Sequence, residues 1–369
     1  MLQIKSQQFQ VKKNNFTTNR IVAVPDDELE LLNGEILVRL DLFSFSSNNI
    51  TYAVSGEIIR YWEFFPPVGP QIDGWGIIPV WGFADVIESR TDDIPVGDRI
   101  FGYFPPATHL KLNPGKITLR GFEDLTEHRS TLPKTYNLYR RVLSESTYDR
   151  KFDSDQSLFY PLYVTSFCLW DSLQDNNWHG ADQTIILSAS SKTSIGLAYG
   201  IHIDPNAPKS IGITSVRNIE AVKKLGLYNQ VLTYDQLDQL DTTIPTVIVD
   251  MSGNNSVLVD LHKRFKDFMK FTLKVGLTHW KAYNPNQGII RERSKFFFAP
   301  SHIQKRIEDW GGAEFDKKTT RFLIEAITET RKWLEYRNLD GLAELTQLYP
   351  KVCDGTIPAN QGLIVKMKF

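Results

Sequence analysis

The chain has 369 residues, enough for two domains. Its 42 basic and 43 acidic residues nearly cancel, so the charge balance indicates neither nucleic acid nor another polyanion as partner. Hydrophobic residues at 41% and aromatics at 12% describe a globular chain, not a disordered one.

Cys168 and Cys353 are the only cysteines, which offers no disulfide framework and no four-cysteine zinc lobe. The opening MLQIKSQQFQVKK lacks the apolar stretch of a secretory signal. The uncharged apolar run at 159–170 is too short to span a bilayer. The expectation is a soluble, cytoplasmic protein with no membrane partner.

Up to about residue 155, a boundary good to several residues, short strand-like runs alternate with turn signals. IVAV at 21–24 is one such run, and GEILVRLDL at 34–42 alternates apolar and polar residues as a half-buried strand does. ADVIE at 84–88 and DRIFGY at 98–103 flank the turn Pro95-Val96-Gly97. Prolines and glycines between Pro66 and Pro95 suit a barrel with irregular loops.

Beyond that point strand-like and helix-like runs alternate, the sequence sign of parallel β-α-β units. Strands are expected at 184–187, 210–214, 231–234, 247–250 and 271–277, with another at 296–298. Helices are expected at 196–203 and 218–225, the second stopped by Gly226 as a C-cap. A doubly wound sheet of this kind binds ligands outside the carboxyl ends of its strands.

SASSKTSIGLA at 188–198 joins the first of these strands to its helix. Dinucleotide turns there usually rely on glycine, and only Gly196 is present, where it would serve close packing. Ser190, Ser191, Thr193 and Ser194 bring hydroxyls and Lys192 a charge beside a helix N-terminus. Two readings stay open, a phosphate cradle and a Ser/Thr-rich helix cap. The next strand ends in Thr214-Ser215-Val216-Arg217, with no carboxylate to take a ribose 2′-hydroxyl. Ser215 and Arg217 suit a 2′-phosphate instead, so NADP(H) is the expected cofactor.

This order of features resembles the medium-chain dehydrogenase/reductase superfamily. NGEILVR at 33–39, WGFADV at 81–86 and VGDRIFG at 96–102 are similar to its barrel strands. The loop at 188–198, AVKKLG at 221–226 and VDMSG at 249–253 match its Rossmann half, and GLAELTQL at 341–348 with QGLIV at 361–365 its closing helix and strand. The SSKTS loop, GLTHW at 276–280 and FFFAPS at 296–301 resemble the little-characterised DUF2855 branch. The resemblance implies an α/β fold: a GroES-like β-barrel domain at 1–155 and 333–369, and a Rossmann doubly wound parallel-sheet domain at 156–332. It also implies a homodimer, since such proteins commonly dimerise through the Rossmann sheet.

Many members hold zinc through a Cys after the first barrel strand and a His-Glu pair in the hairpin. Here those stretches read FSFSSNN at 43–49 and VWGF at 80–83, with no such ligand, so no metal is expected. Zinc-free quinone and enone reductases become the better analogy. There the resemblance puts Asn48, Asn49 and Tyr52 on a loop facing the nicotinamide, with Tyr52 as proton donor or as a packed domain-edge ring.

Thr165 and Ser166 are expected just before the helix entering the second domain, as cofactor contacts or as the helix start. Ser252 and Thr278 join the cofactor-binding set, and His279 is the one histidine considered as an acid. Phe64, Phe65, Trp75, Trp81 and Tyr103 line an apolar substrate pocket or belong to the barrel core. Arg291–Lys295 is expected as a solvated loop and Lys305-Arg306 as a helix face.

The leading expectation is an NADPH-dependent, zinc-free oxidoreductase reducing an activated C=C or C=O bond of a quinone- or enone-like small molecule. The rivals are a non-catalytic NADP(H)-binding sensor or scaffold of the same fold, and a reductase of carrier-bound acyl or polyketide intermediates.

Overall fold

The computed structural model describes residues 6–276 and 288–369. The chain divides into two compact units, residues 1–158 with 335–369, and residues 159–334.

The first unit is mostly β. Strands β1 (Gln7–Lys12) and β2 (Asn15–Ala23) form a hairpin. β3 (Ile36–Phe45) follows, then the short helix α1 (Ser47–Val54). β4 (Trp75–Gly76) adds to the free side of β1. β5 (Val80–Ser89), β6 (Arg99–Phe104), β7 (His109–Leu112), β8 (Pro114–Gly115), β9 (Gly121–Asp124) and β10 (Leu138–Arg141) complete the N-terminal portion. The alternation expected at 34–42 becomes β3, which runs on to Phe45; Gly34 itself is a turn residue at φ +88°. The expected Pro95-Val96-Gly97 turn joins β5 to β6, with Gly97 at φ +91°.

A buried cation joins the neighbouring strands β3, β5 and β6 to the start of the next helix. Arg99 on β6 has an almost inaccessible side chain and bonds Asp41, Asp85 and Asp153, each at 2.6 Å. Its Nε also donates to the Tyr148 hydroxyl at 2.8 Å. Asp85 and Arg99 are direct cross-strand partners, so the ion pair and the ladder register support each other.

Asp153 opens α2 (Asp153–Asp175), a 23-residue helix carrying Pro161 in its interior. Thr165 and Ser166 lie in the middle of α2, not ahead of a helix as the sequence suggests. Proline lacks the N–H that would bond the carbonyl four residues back. That carbonyl, of Ser157, instead accepts the buried Ser44 hydroxyl from β3 at 2.7 Å.

The second unit is a parallel sheet. β11 (Gln183–Leu187), α3 (Lys192–Ile203), β12 (Lys209–Thr214), α4 (Ile219–Lys224), β13 (Gln230–Thr233), β14 (Thr246–Asp250), α5 (Asn255–Phe265), β15 (Met269–Lys274) and β16 (Ser294–Phe296) follow in turn. Among the described residues six strands lie in the order β13-β12-β11-β14-β15-β16, all pairs parallel. This is the Rossmann strand order. Its core joins Ile185, Leu187 and Ile213 to Ile248, Leu258, Leu261 and Phe265. Gly226 ends α4 at φ +66°, the C-cap the sequence indicates.

Two further helices follow, α6 (Ala299–Trp310), which includes the helix face expected at Lys305-Arg306, and α7 (Gly312–Thr330), which packs on α6 and α3. Arg306 on α6 is not a solvated helix face but buried. Its Nε donates to Asp171 at 2.5 Å, and its remaining nitrogens meet Asp175 and Asp309. The chain then returns to the first unit through β17 (Glu335–Asp340), α8 (Gly341–Cys353) and β18 (Gln361–Lys366), the last pairing antiparallel with β3. Among the described residues no helix is long and apolar enough to cross a membrane.

Replacing Arg99 with Met strands the buried Asp153 carboxylate beside Asp41 and Asp85. Urea denaturation is expected to show a loss of about 3–5 kcal/mol, as for other broken buried pairs.

Candidate functional site

In the second unit the site is set by register. Leu187 at the end of β11 is paired with Ile213 on β12 and with Asp250 on β14, while Thr214 is paired with Thr233 on β13. Residues 188–191, 214–217, 234 and 251–253 therefore leave the sheet side by side at its carboxyl edge, where ligands of doubly wound sheets sit.

The turn 188–191 opens α3. Ser191 is its N-cap, accepting from Ser194 N–H at 3.2 Å while its own hydroxyl donates to Ser194 Oγ at 2.8 Å. Asn218 Nδ2 donates to Ser190 Oγ at 3.0 Å. The cap reading thus holds for Ser191 and Ser194, whose hydroxyls are engaged within the turn. Lys192 and Thr193 stand in the first turn, at the positive end of the helix dipole. Burial depresses the Lys192 ammonium to about 8, as expected for a half-enclosed cation.

Gly196 is a packing glycine, but against a helix, not the strand. A Cβ there would lie 2.6 Å from Ser166 Oγ and 2.7 Å from Tyr163 Cδ1 of α2. Ser166 tightens this contact by donating to the Thr193 carbonyl at 2.8 Å. Thr165 donates to Pro161 O within its own helix at 2.8 Å.

At the end of β12, Thr214 Oγ1 and Ser215 Oγ are buried atoms without a hydrogen-bond partner among the described residues. Arg217 is exposed beside them in a short 3₁₀ turn, Val216–Asn218. Ser252, fully buried, follows β14 and donates through N–H and Oγ to Asp250 Oδ1 at 2.7 and 2.6 Å. Burial raises the Asp250 carboxyl, opposed by these bonds and by Gly253 N–H. Thr278 and His279 lie outside the described residues.

In the first unit, Asn48 and Tyr52 stand on a helix, α1, where a loop is expected from the sequence. Ser46 caps it and Asn49 closes a capping box, accepting from Ser46 N–H at 2.8 Å and donating to Pro79 O at 2.9 Å. Tyr52 is buried against Tyr61 and Tyr103, with ring centroids 4.6 and 5.8 Å away. Burial pushes its phenol up to about 12, against hydrogen bonds from Trp81 and Asn48.

Tyr61 and Tyr136 share a 2.9 Å hydroxyl contact, and Tyr103, wholly buried, keeps a hydroxyl without a partner among the described residues. Phe64 and Trp81 complete this aromatic group, while Trp75 stands apart under the Arg20 guanidinium. Tyr61 and Tyr136 join it without any motif or periodic signal in the sequence. Among the described residues no three His, Cys, Asp or Glu side chains are grouped to hold a metal.

The family model described as "Protein of unknown function (DUF2855)" matches residues 43–358. No curated protein matches the chain. CurA from Vibrio vulnificus is similar at TM-score 0.64 and 12% identity, over 99% of both chains. A mutant enoyl thioester reductase from Candida tropicalis is similar at TM-score 0.55 and 11% identity, over 98% of this chain and 100% of that one. A putative NADPH:quinone reductase from Bacillus thuringiensis gives 0.59 and 11%, over 98% of both. These likenesses show the fold: a GroES-like domain with a Rossmann domain, as in medium-chain dehydrogenases and reductases.

Substituting Gly196 by Ala forces its Cβ onto Ser166 and Tyr163. Thermal or urea unfolding should register a loss of about 1–3 kcal/mol, the usual cost of overpacking, and unchanged stability would remove the packing role.

Proposed function

The chain belongs to the DUF2855 family, and from the edge geometry of its parallel sheet we propose that it binds NADPH and reduces an activated C=C or C=O bond of a small conjugated substrate. The observation that carries the reading is the pair of buried Thr214 and Ser215 hydroxyls at the end of β12, which have no hydrogen-bond partner among the described residues. An NAD-selective unit keeps a carboxylate in that region. Here two orphaned donors and Arg217 stand there, the donor chemistry a 2′-phosphate needs.

The rest of the edge fits the same group. The N-terminus of α3, with Lys192 and Thr193 in its first turn, is suited to the pyrophosphate. Ser190, Ser191, Ser194 and Gly196 shape that turn, and Ser252 the neighbouring one. When bound, NADPH supplies a hydride. Tyr52 carries its proton at neutral pH and is the side chain assigned to protonate or hydrogen-bond the reduced oxygen or carbon, with Asn48 beside it. The rings of Phe64, Trp81, Tyr103 and Tyr136 exclude water from a flat substrate. Structures of CurA with NADPH and of the enoyl thioester reductase with NADP and crotonyl-CoA support a reductase reading for this fold.

Fluorescence titration with NADPH and NADH tests the cofactor. Absence of saturable binding of either overturns the reading, and binding without oxidation by any of a panel of quinones and enones leaves a nucleotide sensor in its place. Arg217→Ala is expected to weaken NADPH by about tenfold or more while leaving NADH within about twofold, the scale of one charge-assisted contact. Tyr52→Phe should lower kcat by about a hundredfold with the NADPH Kd unchanged; an unaltered kcat assigns protonation elsewhere.

Phosphate stabilises the Lys192 ammonium, so binding takes up a proton wherever free Lys192 is neutral. Affinity should be full below about pH 8 and decline as pH rises above it. Isothermal titration in buffers of different ionisation enthalpy reads the uptake, and Lys192→Met should abolish it.

A further inference from the structure

Ser188, the residue at which β11 turns toward α3, has φ +55°. A side chain is strained there, and this is the position at which a dinucleotide turn normally places glycine. Two phenols from the β13 side bracket it. Tyr234 Oη accepts the Ser188 N–H at 3.0 Å and lies 3.4 Å from Ser188 Oγ. Tyr228 Oη donates to the carbonyl of the next residue, Ala189, at 2.9 Å.

Both phenols are themselves held. The Tyr228 ring covers Gly212, where a Cβ would come within 2.9 Å of Tyr228 Cδ1 and equally close to Ala189 Cβ. Tyr234 bonds the Ser252 side chain, and Ser252 Oγ donates to Asp250 Oδ1 at 2.6 Å. Ser188 N–H donates to Tyr234 Oη and Ser252 O–H donates to Asp250 Oδ1, with the Tyr234 and Ser252 side chains meeting between them. The left-handed turn after β11 is thereby tied, through its own peptide N–H and the Tyr234 and Ser252 side chains, to the end of β14.

We propose that Tyr234 and Tyr228 are positioning residues that hold the 188–189 peptide in its ligand-binding turn, replacing the conformational freedom that glycine provides elsewhere. The inference rests on the NADPH reading for the ligand and on this geometry for the tether. Asp250 and Ser252 are buried to support the tether and need not touch the nucleotide.

The test is a substitution cycle between positions 234 and 188. Tyr234→Phe removes only the phenol oxygen and is expected to weaken NADPH about tenfold, equivalent to about 1.4 kcal/mol. Ser188→Gly alone supplies the reference affinity for the cycle, against which the effect of Tyr234→Phe on the glycine background is read. In Tyr234→Phe/Ser188→Gly, affinity should stay within about threefold of Ser188→Gly alone, because glycine needs no tether. Tyr228→Phe should also weaken binding, but Ser188→Gly should not rescue it, since its partner is the Ala189 carbonyl.

Native-like affinity in Tyr234→Phe, or an equal loss from Tyr234→Phe on the glycine background, overturns the proposal. Unfolding of the four ligand-free proteins separates this from the cofactor reading. If the native protein binds no NADPH but the melting temperatures show the same rescue, the tether stands and the nucleotide assignment falls. Additive melting temperatures refute the tether whatever the ligand.

Discussion

A strand that hands the chain to a helix across a doubly wound sheet must reverse within a few residues, and one of them commonly takes positive φ. Here Ser188 does so at φ +55°, under Tyr234 and beside a carbonyl bound by Tyr228. The placement of Ser190, Ser191 and Lys192 depends on that one backbone choice, because each follows it directly in the turn. So does the approach of α3 to α2, in which Gly196 meets Tyr163 and Ser166 with no room for a methyl group. A glycine-poor turn is therefore not a degenerate one. Its freedom has been replaced by hydrogen bonds from neighbouring strands, which makes its shape a property of the whole sheet edge.

The same substitution of tertiary for local information explains what could be seen in the sequence. Runs such as Gln183–Leu187 and Thr246–Asp250 are buried on both faces, so they appear as continuous apolar segments and their order is legible. The end of β12 was legible for a simpler reason: a missing carboxylate shows in four consecutive residues. Tyr228 and Tyr234 were not, because a tyrosine's hydrogen bond to a turn some forty residues earlier leaves no periodic trace.

The burial of charged residues is hidden from the sequence in the same way. Arg306 sits in a polar string that suggests solvent, yet it is buried on Asp171 of α2, far away in sequence. Arg99 likewise collects partners from β3, β5 and the start of α2. In both cases it is the partner, not the residue, that makes burial tolerable. Thr165 and Ser166, expected just before a helix, lie inside α2, which carries Pro161 in its interior. The Ser44 hydroxyl, which takes the carbonyl that Pro161 leaves unbonded, lets α2 run straight through that position.

The pairing of β18 with β3 bears on the order in which the chain acquires structure. β3 lies near the start of the chain, but its neighbour in the sheet is formed by residues 361–366. During synthesis β3 keeps an open stretch of edge until residues 361–366 have been made, whereas residues 159–334 form a continuous unit whose described strands are complete earlier. An unpaired edge of this kind is a template for wrong pairing. The strands of the second unit are thus available before β18, and an ordered segment between β3 and β18 leaves a shorter flexible loop for β18 to close.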